Sequence, residues 1–249
     1  MTPTGTQHIL LINPNTNVAT TARIQGVLEP HLPQGVRLHV RTARFGASYI
    51  ACEASHAVAS HACLDAWAQF RSEDNAPLAG VVVACFGDPG LFALREVSPC
   101  TVSGLAEASF ILAAQKGSFA IVTGGTRWKP MLTRLAQNLG YEQQLKHIET
   151  VEPSGAALQA NPEMAIRCLS QACKQAQHYG VQSIILGGAG LAGYAQALQA
   201  HVDIPLIDST LAGLDVVLKQ LAPPVSKSKP PPPSGFHATW VNLPEWFAR

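Results

Sequence analysis

The stretch Val81-Val82-Val83-Ala84-Cys85-Phe86-Gly87-Asp88-Pro89-Gly90 constrains the fold more than any other part of the chain. Small and β-branched residues run without a polar break, then stop at a thiol, a glycine, an acid and a Pro-Gly turn. A half-exposed strand would alternate polar with apolar; this run does not, so it reads as a strand buried on both faces, as in a parallel sheet. Parallel strands need crossover connections. In open α/β sheets the crevice beyond the strand ends is where ligands bind, so the run delivers Cys85 to a functional edge. Ser183-Ile184-Ile185-Leu186-Gly187-Gly188-Ala189-Gly190-Leu191 has the same form but carries no thiol.

The remaining segments supply the crossovers. Further strands are predicted over 8–12, 36–42, 118–122 and 205–210, and the second of these alternates as a half-exposed strand should. Helices are predicted through Arg23 to Leu28 and over 49–70, 91–96, 128–139, 162–179, 194–200 and 211–221. Gly140 and Gly180 stop two of them. Thr101 to Ala114 reads as a link and then a helix containing Glu107. Strand and helix alternate throughout, which argues a parallel sheet covered on both faces. The strand ends at Asn13 and Cys85 match those at Thr123 and Gly188, so the chain repeats itself coarsely. Two similar lobes facing each other across a cleft would explain this.

Composition excludes several function classes. Hydrophobic residues make up 47% and charged residues 13%, which suits an ordered globule. A net charge of +1 gives no electrostatic footprint for nucleic acid or an acidic membrane surface. No apolar run approaches the ~20 residues that span a bilayer, and Met1 to Gln7 lacks the pattern of a signal peptide. A cytoplasmic location is the expectation. The six cysteines include no C-x-x-C pair and read as free thiols. His56 and His61 are five apart, the wrong step for one helix face, so no metal site is expected. Pro223-Pro224 and Pro230 to Pro233 make an extended polyproline tail, either solvated or docking back through Phe236 to Trp246.

Three stretches together resemble the Asp/Glu/hydantoin racemase superfamily, most closely its hydantoin and allantoin racemase branch. They are Ile12-Asn13-Pro14-Asn15-Thr16; Cys85 to Leu91 with Arg95-Glu96 and Gly104 to Ala108; and Leu186 to Leu191. Ile207-Asp208-Ser209-Thr210 adds a weaker match. The likeness reaches to about Leu221 and leaves out only the Pro-rich tail. It implies an α/β fold of two flavodoxin-like lobes with parallel sheets, related by a pseudo-twofold, with the active site in the cleft between them. The expected division is residues 1–105 plus 208–222 in the first lobe, 106–207 in the second, and 223–249 as an extension. The resemblance further implies no cofactor, a small-molecule substrate and a homo-oligomer.

In that family's racemases two cysteines flank the stereocentre, one taking the proton and the other returning one to the opposite face. Cys85 matches the first; the second falls at position 188, where this chain has glycine. Glycine can neither give nor take a proton, and racemisation needs both on opposite faces of a planar carbanion. A free thiol has a pKa of about 8.5, so Cys85 needs help from backbone N–H groups or a helix N-terminus, which the Gly87 turn could supply. Cys100, Asp88, His56 or a water could be proposed as the second group, with nothing in the sequence placing them there. Arylmalonate decarboxylases in the same superfamily keep only the second-half thiol, the reverse of this arrangement.

The leading expectation is a hydantoin-racemase-like enzyme working through a single thiol, Cys85, on a small hydantoin-type or carboxylated substrate. The alternatives are a one-cysteine lyase, decarboxylase or hydrolase, including desulfurising attack on a thiohydantoin-like ring, and a non-catalytic binding protein. By resemblance, Asn13, Asn15, Phe86, Gly87, Thr123, Gly124, Gly125, Gly188 and Ala189 bind substrate. Plain structural roles compete with this. Asn13 and Asn15 suit helix capping, and the Thr123-Gly124-Gly125 turn suits a helix start. Phe86 suits an apolar cleft wall for a ring or hydrophobic substituent, and Asp88 fixes the Pro89-Gly90 turn more naturally than it acts as a base.

Overall fold

The computed structural model describes residues 6–73, 78–221 and 241, so the Pro-rich extension and the docking of Phe236 to Trp246 lie outside the described residues. The first half runs β1 (Gln7–Asn13), α1 (Val18–Leu28), β2 (Val36–Thr42), α2 (Glu53–Glu73), β3 (Leu78–Val83), α3 (Leu91–Val97), β4 (Thr101–Gly104) and α4 (Leu105–Ala114). The second half runs β5 (Phe119–Gly124), α5 (Trp128–Asn138), β6 (Leu145–Val151), α6 (Gly155–Ala160), α7 (Pro162–Gln177), β7 (Ser183–Gly187), α8 (Tyr194–Gln199), β8 (Leu206–Asp208) and α9 (Ser209–Gln220).

The strands form two four-stranded sheets, ordered β2-β1-β3-β4 and β6-β5-β7-β8. Every pairing is parallel, and the two orders are the same pattern repeated. Side chains divide with the two-residue period of a strand. Ile9 and Leu11 of β1 face one core; Leu10 and Ile12 face another, under Phe70 and Trp67 of α2. In β5, Phe119 and Ile121 join Ile9 and Leu11 in the shared core, while Ala120 and Val122 pack with Leu169 and Cys173 of α7. The runs through β3 and β7 are apolar throughout because each supplies both cores.

The shared core exists because two helices change sides. Helix α4 follows the first sheet's edge strand β4 and packs on β7 and β8 of the second sheet. Helix α9 follows β8 and packs back on β3 and β4, and α4 and α9 lie against each other. Phe110 of α4 lies in this shared core, stacked on Phe119 with centroids 5.5 Å apart and edge-on to Phe86 at 6.2 Å.

Several elements depart from the sequence reading. Thr101–Gly104 is a strand, not a link, and β6 and α6 fill a segment whose pattern predicts no element. The helix expected from residue 49 begins at Glu53, because the Ser55 hydroxyl accepts the Ala51 and Cys52 N–H groups at 3.0 Å and fixes the start there. Residues 49–52 are thereby left to a loop over the strand ends. The strand expected over 205–210 stops at Asp208, whose carboxylate accepts the Thr210 and Leu211 N–H groups and starts α9.

Removing the Phe110 ring tests the packing of the shared core. Phe110→Ala should cost about 3–5 kcal/mol, the usual range for a fully buried aromatic, measured as a shift in the urea unfolding midpoint.

Candidate active site

The C-terminal ends of the two sheets meet at a cleft of ≈ 70 Å³. Cys85 reaches it from β3. Beyond the last β3 pair, Ile12 with Val83, the chain continues for one residue, with the Ala84 N–H donating to the Ile12 carbonyl at 2.8 Å. It then turns sharply, the Asp88 N–H donating to the Cys85 carbonyl at 3.1 Å. In the second sheet Leu186 pairs with Val122 and Gly187 with Thr123. Counting from these registers, Gly188 stands in the second lobe where Cys85 stands in the first. Both glycine and thiol line the cleft.

Phe86 holds the two walls together. Its ring occupies the space a side chain at 187 would need: a Cβ there would lie 2.2 Å from the Phe86 Cε1. The aromatic wall expected from Phe86 is present in the cleft, but most of the ring is spent on this contact between lobes. Three further contacts join the two halves. Tyr49 donates to the Gly124 carbonyl at 3.1 Å, and Arg23 donates to the Ala192 carbonyl at 2.9 and 3.2 Å. Arg134 pairs with Glu53 at 2.6 Å.

Of the residues expected to bind substrate, Asn15, Phe86, Thr123, Gly124, Gly188 and Ala189 line the cleft with Cys85, whereas Asn13, Gly87 and Gly125 do not. Asn13 is fully buried, and its amide is spent on Asn15 Oδ1, the Asn17 carbonyl, Thr21 Oγ1 and the Asn15 N–H. It shapes the loop that presents Asn15. Gly87 lies beneath Trp128, and its carbonyl accepts from His56 Nε2 at 2.8 Å. Gly125 (φ +92°) turns the chain beside Tyr49. Gly188 lines the cleft, but its N–H donates to Ser209 Oγ at 3.2 Å. Thr123 is 4% exposed, and its hydroxyl makes no hydrogen bond among the described residues, which leaves it for a ligand.

Sequence reasoning missed Tyr49 and Trp128, which close one end of the cleft. The residue pattern places both in helices; the glycine-bearing loop before Tyr49 is the one available signal. Burial raises the Tyr49 proton affinity above that of a free phenol, and the neighbouring Trp128 indole opposes this. Among the described residues, Tyr49 and Cys85 are the titratable side chains of the lining, with no Asp, Glu, His, Lys or Arg. None of the three side chains proposed for the opposite face lines the cleft. Cys100 sits by Ser98 ahead of β4, Asp88 is turned to the start of α4, and His56 is held on Gly87.

Burial pushes the Cys85 thiol up to about 12; the Asp88 charge adds to this, and the Gly87 N–H opposes it. The expected activation by the turn is present but outweighed, so the sulfur rests as a thiol with a proton to give. No group of three or more His, Cys, Asp and Glu residues able to hold a metal occurs among the described residues. Among them, too, no helix is long and apolar enough to cross a membrane.

The Asp/Glu/Hydantoin racemase family model matches residues 9–217. A hydantoin racemase from Pseudomonas sp. (strain NS671) is 29% identical over 208 residues, 83% of this chain and 82% of that protein. One from Paenarthrobacter aurescens is 30% identical over 210 residues, covering 84% and 88%. The solved structure of an allantoin racemase from Klebsiella pneumoniae superimposes with a TM-score of 0.81 at 30% identity, covering 87% of this chain and 88% of that one.

The electrostatics predict an order of reaction for the thiols. Cys52 is partly exposed and its proton affinity is lowered, chiefly by the Ser55 hydroxyl. Iodoacetamide at pH 8 should therefore alkylate Cys52 well before Cys85, whose thiolate is about a thousandfold scarcer than a free cysteine's. Peptide mass mapping over a time course checks it.

Proposed function

Because this chain belongs to the Asp/Glu/hydantoin racemase family, an enzyme family of racemases and isomerases, we propose that it is a cofactor-independent, hydantoin-racemase-like enzyme in which Cys85 is the one thiol that moves a proton. The observation that carries this reading is the cleft itself: a thiol on one wall, and glycine at the register-equivalent position of the other. With no charged side chain in the lining among the described residues, a compact neutral ring fits better than a free amino diacid, whose two carboxylates would be desolvated without a partner. Phe86, Trp128, Ile50 and Leu191 offer apolar contact, and Asn15 and Thr123 offer hydrogen bonds to ring carbonyls or N–H groups.

The chemistry suited to such a site is proton delivery to a carbon beside a carbonyl. Cys85, in the fraction present as thiolate, takes the C5 proton of one enantiomer and leaves the C–H electron pair on a carbanion delocalised into the carbonyl; the thiol exchanges its proton with water and returns one to the same face, so that the new C–H bond takes that pair and the thiolate is regenerated. That balance favours exchange or capture on one face over interconversion of enantiomers. A second reading follows from the same resting thiol: a one-cysteine decarboxylase, in which loss of CO2 generates the carbanion and Cys85 protonates it. It is supported by the protonated state of the buried sulfur.

Proton NMR in D2O with each enantiomer of several 5-substituted hydantoins, and with an aryl malonate, separates these. Exchange of the C5 proton in one enantiomer with retention is the expected result. Loss of CO2 from the malonate moves the assignment to the second reading, and racemisation of both enantiomers overturns the one-thiol account. Cys85→Ser should abolish whichever activity is found, by roughly a hundredfold or more.

Installing the second thiol gives a converse test. A Cβ at 188 would meet only Leu191 Cγ and Thr123 Oγ1, each at 3.8 Å, so there is room. The backbone there has φ +138°, which side chains rarely adopt. Gly188→Cys should thus cost about 1–3 kcal/mol of stability, read by thermal denaturation, and convert one-face exchange into racemisation.

A further inference from the structure

Helices α4 and α9 occupy corresponding places in the two halves, but their first turns are satisfied differently. Asp208, the residue directly before α9, caps it locally. The residue before α4 is Gly104, which has no side chain, and the cap comes from 16 positions earlier in the thiol loop: Asp88 accepts the Ala106 N–H at 2.9 Å and the Glu107 N–H at 2.8 Å. The two residues fit each other, since a Cβ at 104 would lie 2.2 Å from the Asp88 carboxyl carbon. To reach the helix, Asp88 adopts φ +50°, and among the described residues it is the one non-glycine with positive φ. Backbone strain of this kind persists where the surroundings over-determine it. Capping alone does not require the arrangement, as α9 shows.

We propose that Asp88 is a positioning residue for Cys85: its carboxylate, locked onto the start of α4, fixes the loop that presents the sulfur and holds a negative charge near it. The proposal rests on the reading of Cys85 as the reacting thiol. Asp88 is 6% exposed, three residues from Cys85, with its own N–H bonded to the Cys85 carbonyl. Helix α4 in turn packs on β7, which ends at the opposite wall of the cleft, so one carboxylate ties the thiol loop to both lobes.

The surroundings of Asp88 are mixed in sign. Burial pushes its pKa up to about 7; the two helix N–H groups and Arg95 of α3 hold it down, while Glu107 of α4 raises it. The Cys85 thiol and Cys63 of α2 both feel its charge. His56 and Ser60 of α2 and Arg134 of α5 line the same ≈ 250 Å³ groove as Asp88; His56 is bonded to Gly87 and Arg134 to Glu53. Near neutral pH the carboxyl therefore changes charge, with the sign fixed: charged above about 7, it raises the thiol's proton affinity, and neutral below, it releases that hold.

The test reads Cys85 directly and needs no substrate, so it can fail independently of the functional assignment. The modification rate of Cys85 by methyl methanethiosulfonate is followed by peptide mass mapping from pH 5.5 to 8.5 in the wild type and Asp88→Asn. The variant should match the wild type at pH 5.5, where Asp88 is already neutral, and react roughly tenfold faster at pH 8.5, one pKa unit of thiol acidity. A variant faster by the same factor at both pH values has merely loosened the loop, and one unchanged at both feels no charge; either result overturns the proposal. Should Asp88→Asn not fold, the wild-type profile decides: two parallel limbs offset across about pH 7 support it, and a single unbroken limb overturns it.

Discussion

The exchange of α4 and α9 between the two sheets is the constraint on which the rest of the structure depends. A sheet of four strands cannot bury both faces with its own short crossovers, and each half here leaves one face to the other half's last helix. The result is one apolar core spanning both lobes, with Phe110 and Phe119 at its centre. Aromatic pairs of this kind add about 0.5–1.5 kcal/mol beyond their buried area, and the larger share comes from burial itself. Because the strands are parallel and the lobes face each other, all the strand ends of functional interest open on the same cleft.

That geometry also sets the chemistry of Cys85. Burial of a thiol against apolar walls raises its pKa by up to several units, whereas a single N–H bond, here from Gly87, recovers less. The nearby Asp88 charge acts in the same direction as burial. A site meant to hold a standing thiolate would present Cys85 to a cation or to a free helix N-terminus. Here the N-terminus of α4 is already taken by Asp88, and among the described residues no cationic side chain lines the cleft. Burial and the Asp88 charge thus both hold the sulfur toward its protonated form.

Much of this is legible in the sequence, for a physical reason. Buried parallel strands such as 81–84 and 183–186 must be apolar on both faces, so their runs and the residues that end them stand out. The contrast between a cysteine at one strand end and a glycine at the other follows from residue type alone. What is not legible is held by tertiary contacts. Strand β6 lies at the sheet edge with most of its residues half-buried, so its pattern is weak. Tyr49 falls inside an apparent helix that the Ser55 hydroxyl in fact stops short. Asn13 has the residue type of a ligand contact and is a loop brace, because whether a side-chain amide faces inward or outward depends on partners such as Thr21 that periodicity does not reveal.

The two cleft walls are therefore alike in backbone and unlike in function. On the first-lobe wall, strain at Asp88, a borrowed cap and a buried thiol are bound into one unit. On the second, Gly188 adopts a conformation open to glycine, gives its N–H to Ser209 and leaves the Thr123 hydroxyl facing the cleft. A hydroxyl of ordinary pKa can bind a substrate oxygen but cannot match a thiol in taking a proton from carbon. A carbanion held between these walls would have one face toward an acid and the other toward a hydrogen-bond donor, an asymmetry that comes from the two strand ends rather than from the substrate.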